Sequence, residues 1–64
     1  MQNATSRLLT PKAVAEWLGV TEHTLAVWRC EGRYELPFVK AGRLVRYREI
    51  DVENFIQERL RDHS

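Results

Sequence analysis

The chain has 64 residues, of which 44% are hydrophobic and 30% charged, and its formal net charge is +1. A chain of this length holds one domain with a small core, because a fold of about 60 residues buries only roughly 60% of its unfolded surface. Ordinary composition without low-complexity tracts argues against wholesale disorder, and no apolar run reaches the roughly 18 residues of a membrane span.

Residues 1–7 are polar and are expected to be a disordered N-terminal segment. "LTPKAVAEWLGV" then carries helix signals. Thr10 suits the N-cap, Pro11 the first helical position, and Gly19 the C-terminal stop. Val14, Ala15 and Leu18 share one face, flanked by a half-buried Trp17. A helix of two turns is unstable alone in water and must pack on another element.

"VTEHTLAVWRCEG" predicts a second helix, capped by Thr21 and stopped at Gly32. Leu25 and Trp28 point inward. At 100° per residue the opposite face carries His23, Ala26, Val27 and Cys30, with Glu22 and Arg29 on its flanks. Two short helices separated by "GVT" fit a helix-turn-helix, in which the second helix is presented outward.

"RYELP" is a connection, since Pro37 lacks a donor and biases Leu36 to an extended form. "FVKA" and "LVRY" predict two short strands joined at Gly42-Arg43, with Gly42 supplying the positive φ of a tight hairpin. Phe38 and Val45 are expected on the inward side, and Lys40, Arg43 and Arg46 toward solvent or a ligand. "REIDVENFIQERL" predicts a third helix with Val52, Phe55, Ile56 and Leu60 on one face. Its early acids complement the helix dipole, and Asp51 is placed to reach back as a cap partner. Residues 61–64 are expected to fray. The fold class is α+β, mainly α: a winged helix-turn-helix of order α-α-β-β-α over residues 8–60.

Charge is unevenly spread. Residues 29–48 hold six bases against two acids, a balance of +4, and residues 49–64 hold two bases against five acids, a balance of −3. That describes a cationic working face and an anionic back. The single cysteine, Cys30, permits no internal disulfide, which fits a reducing compartment. "MQNATSRLL" does not read as a signal peptide.

With its motifs in place, the chain resembles the excisionase/AlpA family of small winged-helix proteins, itself similar to the DNA-binding domain of MerR regulators. The resemblance rests on "LLTPKAVAEWLGVTEHTLAVWRCEG", "LPFVKAGRLVRY" and "DVENFI", which together span nearly all of residues 8–56. Each motif is weak alone; their joint order and spacing carry the match. The resemblance implies sequence-selective binding to double-stranded DNA, with the second helix in the major groove and the wing along the adjacent minor groove or backbone. It also implies a recombination directionality factor, which bends attachment-site DNA and helps an integrase, or a transcriptional regulator of a prophage or mobile element. The chain departs from the family where larger polar or aromatic residues give way to Ala26 and Val27, so base reading there is thin. MerR-type ligand sensing is not expected in so short a chain.

The chemistry of individual positions fits those roles. Arg43 at the hairpin tip suits a narrow minor groove, where negative potential is strongest, or a bidentate phosphate contact; the bland reading is a solvated turn arginine. Lys40 and Arg46 suit phosphates, which position without reading sequence; otherwise they protect an edge strand. Arg48 either reaches DNA or pairs with Glu49 or Asp51. Thr21 and the backbone N–H groups behind it suit a phosphate. Glu22 and His23 face base edges in a major-groove docking, where a glutamate accepts from cytosine N4. Ala26 and Val27 suit a thymine methyl. Arg29 suits a phosphate or base contact, and Arg33, which follows the helix stop, suits the DNA backbone. Tyr47 is expected to pack under the wing.

No catalytic, metal or cofactor site is expected. Cys30 has no Cys-His-Asn partner set, and neither histidine has a second ligand at metal spacing. Besides DNA, the expected partners are an integrase and further copies of the chain on adjacent sites, in the prokaryotic cytoplasm and without a membrane. The rival from another class is a protein-interaction adapter or antitoxin-like module working through the last helix.

Overall fold

A computed structural model describes the backbone of residues 7–62 and the side chains of residues 7–59. The elements run β1 (Leu8–Leu9), α1 (Pro11–Leu18), α2 (Glu22–Glu31), β2 (Val39–Ala41), β3 (Leu44–Arg48) and α3 (Glu49–Asp62). The winged helix-turn-helix class is thus observed: three helices and a small antiparallel sheet, in strand order β1-β3-β2.

Local chemistry explains the helix ends. Thr10 Oγ1 accepts from the Ala13 N–H at 3.1 Å, and Pro11 occupies the first turn where no donor is needed. Gly19 takes φ 76°, and the N–H groups of Gly19 and Val20 both donate to the Ala15 carbonyl at 2.8 and 2.9 Å. That left-handed residue turns the chain sharply enough for α2 to begin three residues later. Thr21 Oγ1 then accepts from the Thr24 N–H at 3.0 Å and opens α2.

The core is small, as expected. Val14 and Ala15 of α1, Leu25 of α2, Leu36 of the connection, Tyr47 of β3 and Val52 of α3 are buried together. Leu9, Leu18, Val20, Trp28, Val45, Phe55 and Ile56 pack around them. A second cluster fastens α3 to the connection. Trp28 and Tyr34 meet edge-to-face at 4.8 Å, Phe55 joins them, and the Arg59 guanidinium lies 4.7 Å from the Tyr34 ring centre and 4.9 Å from that of Phe55.

Three expectations change. First, β1 precedes the helices, so the order is β-α-α-β-β-α. Leu8 and Leu9 pair with Arg48 and Tyr47, and the Arg7 carbonyl accepts from the Glu49 N–H at 2.8 Å. Arg7 thereby meets the start of α3; residues 1–6 lie outside the described residues. A two-residue strand has no alternation to reveal it and forms because β3 offers an open edge. Second, Phe38 is 42% exposed. Its ring is tilted against Tyr47 at 6.4 Å, and its remaining surface lines an open cleft beside α2. Third, α3 begins at Glu49, directly after β3, and continues through Asp62; His63 and Ser64 lie outside the described residues. Asp51 does reach back, but to a side chain: Arg48 Nε and Nη2 donate to its two carboxylate oxygens at 2.7 and 3.0 Å. This pairing takes up Arg48 and holds its guanidinium pKa above the ordinary value, through the hydrogen bond first and the charge second.

Candidate nucleic-acid interface

Two exposed surfaces meet at the cationic middle of the chain: the outer side of α2 and the β2–β3 ribbon. Thr21, Glu22 and His23 are exposed at the start of α2, while Ala26 and Val27 are half-exposed one turn later. The Thr21 hydroxyl is already engaged, by the Thr24 N–H and by Thr24 Oγ1 at 2.9 Å. Its first duty is therefore the cap, and a phosphate at this end would meet backbone N–H groups of the first turn.

The ribbon register decides where its cations go. Val39 pairs with Arg46, Lys40 with Val45 and Ala41 with Leu44, leaving Gly42-Arg43 as a two-residue turn. Gly42 takes φ 62°, and among the described residues only glycines have positive φ. A positive first residue followed by a negative one is the pattern of a type II′ turn, in which glycine leads. Residues directly paired share a face of the sheet, and neighbours along a strand alternate. Lys40 therefore lies with Val45 and Tyr47 on the face turned to α2. Arg46 lies with Val39 and Leu44 on the other face, half-buried, its Nη1 donating to the Val45 carbonyl at 2.7 Å. Arg43 stands exposed at the tip. The three bases of the wing thus point three ways rather than to one side.

Between α2 and the ribbon lies an open cleft of about 280 Å³, lined by Ala26, Arg29 and Cys30 on the helix side and by Phe38, Lys40 and Val45 on the ribbon side. Arg29, expected as a DNA contact, is turned inward. Its Nη1 donates to the Tyr47 hydroxyl at 2.8 Å, and its guanidinium carbon lies 5.8 Å from the centre of the Phe38 ring. Tyr47 itself is 1% exposed and packs under the wing as expected. Arg33 is placed elsewhere. It follows Gly32, pairs with Glu31 at 3.1 Å, and lines a separate concavity against α3 with Tyr34, Asn54 and Phe55.

The cleft therefore brings Ala26 and Arg29 together with Lys40, while Glu22 and His23 lie exposed at the start of α2, Val27 half-exposed on the same helix, Arg43 exposed at the hairpin tip, Arg46 on the other face of the ribbon and Arg33 past the helix stop. Cys30 and Phe38 line the cleft although sequence reasoning does not single them out as site residues. Their signal is position alone, on the helix flank and the strand face nearest each other. Among the described residues no group of three His, Cys, Asp or Glu side chains could hold a metal ion, and no helix is long and apolar enough to cross a membrane.

A family model described as a helix-turn-helix domain matches residues 8–60, which takes in every element from β1 to most of α3. No curated protein and no solved structure gives a match. The family match supports binding to double-stranded DNA.

Proposed function

The chain belongs to the helix-turn-helix domain family, and from that premise we propose that it binds double-stranded DNA selectively as a recombination directionality factor, bending attachment-site DNA and assisting an integrase. The observation that carries the reading is the splay of the wing cations beside the exposed side of α2: Lys40 toward the cleft formed with the later turns of that helix, Arg43 at the tip, Arg46 behind.

In this docking α2 enters the major groove. Glu22 and His23 meet base edges, Ala26 and Val27 offer only methyl contacts, and the N-terminal turn faces a phosphate. The ribbon then stands edge-on over the neighbouring minor groove. A groove about 6 Å wide has a phosphate row on each wall. Arg43 enters it, while Lys40 and Arg46 reach the two rows from opposite faces of the ribbon. A wing lying flat on one backbone would leave one of these two cations facing away. Neutralising phosphates on both sides of one groove also favours a bent duplex, which is what a directionality factor needs. Arg33 is an outlying backbone contact at most. Further copies on adjacent sites and an integrase complete the assembly, in the cytoplasm of a prokaryote.

Titration onto attachment-site DNA, read for affinity, bending and integrase-dependent excision together, tests this. Tight, salt-sensitive binding with bending and stimulated excision supports it. Binding to a promoter without any effect on excision moves the chain to transcriptional regulation. Affinity that does not respond to salt removes the DNA reading and leaves a protein-interaction module.

A further inference from the structure

We propose that Arg29 is a positioning residue that sets the angle between α2 and the wing, and that it does not contact DNA. This rests on the DNA-binding reading for its purpose, but its geometry stands in the free protein.

Arg29 occupies the last turn of α2. Its guanidinium makes two different contacts with the ribbon: the hydrogen bond to Tyr47 on β3, and the approach to the Phe38 ring at the entry to β2. Phe38 and Tyr47 in turn lie against each other, ring centres 6.4 Å apart. One side chain of the helix therefore holds both strands of the wing. Arg29 and Phe38 also line two spaces at once. Above them is the open cleft; below them is a small cavity of about 60 Å³ bounded by Leu25, Leu36 and Tyr47. They form the partition between cleft and core, and a helix that reads one groove is linked through it to a ribbon that reads the next. A planar guanidinium suits this position because it donates in its plane to the Tyr47 hydroxyl and is attracted to a ring face. The charge itself is not spent on phosphate.

Tyr47 makes the inference testable, because it is too deeply buried to touch DNA. The wild-type chain, Tyr47→Phe, Arg29→Met and the double variant are compared in two measurements. In the free proteins, backbone order parameters report the wing. Both single variants should lower them across Val39–Arg46 and leave α1 and α2 as they are. Unchanged ribbon values in both overturn the proposal. In the second measurement the probe is a short duplex that the wild-type chain enriches from a randomised pool. Each single variant should bind it about tenfold more weakly, the effect of roughly one charged hydrogen bond. The double variant should be no worse than either single, and the salt slope should not move. A Tyr47→Phe variant that binds normally, beside an Arg29→Met variant whose slope falls by about 0.9, makes Arg29 a phosphate contact and overturns the proposal. A wild-type chain that enriches no duplex, but whose ribbon loosens in Tyr47→Phe, overturns the DNA reading and keeps the clamp.

Discussion

Lys40 and Arg46 project from opposite faces of one hairpin. The pairing Lys40 with Val45 and Val39 with Arg46 leaves them no common side. Two cations on either face of a ribbon, with a third at its tip, form a three-sided probe. In the proposed docking each face meets its own row of phosphates.

Salt dependence should therefore divide equally between the two faces. Lys40→Ala and Arg46→Ala should each make the log-log salt slope shallower by about 0.9, and the double variant by about 1.8. Fluorescence titrations at several salt concentrations measure this. If only Lys40→Ala moves the slope, the wing lies flat with its cleft face on one backbone.

Arg43→Ala should weaken binding by roughly 1–3 kcal/mol and reduce any preference for a narrow, A·T-rich minor groove beside the major-groove site. Competition between duplexes that differ only in that flank reads the preference. Equal affinity of variant and wild type, with an intact fold, makes Arg43 a spectator.

His23→Ala should reorder affinities among operator variants while leaving binding to unrelated duplex nearly unchanged. The side chain is exposed in the first turn of α2 and meets base edges in the proposed docking, while the backbone N–H groups of that turn take the phosphate. Uniform losses across all sequences would instead assign His23 to the backbone.

Gly42→Ala should destabilise the chain by about 1–2 kcal/mol, as seen in denaturant unfolding. The cost is conformational: φ is 62°, and an added Cβ would meet nothing within 4 Å. With Arg43 still present, the DNA salt slope should stay put. A neutral effect on stability would mean that the turn relaxes into another type.

Much of this interface could be read along the chain. Thr10, Gly19, Thr21 and Gly32 bracket both helices because caps and left-handed stops are local chemistry. The ribbon was legible from Gly42-Arg43, and so, in principle, was its register. Counting outward from a two-residue turn pairs Lys40 with Val45 and places Arg46 on the other face. Arg29 was not legible. On a helical wheel it flanks the outward side of α2, and nothing in its neighbours says that a buried tyrosine eighteen positions later will take its hydrogen bond. Leu8 and Leu9 were equally silent, since a strand that short exists only where another strand's open edge receives it.

The sequence by itself determined the order of helix, turn, helix and ribbon, the cationic sign of the ribbon and the residue at its tip. These follow from periodicity, caps and turn geometry, which act over a few residues. The tertiary structure alone decided which cations face outward and which are held. Arg48 is taken up by Asp51 and Arg29 by Tyr47, because a guanidinium half out of water settles on the nearest oxygen that packing brings within reach. That proximity depends on how α2, β3 and α3 close around a small core, and no local pattern encodes it.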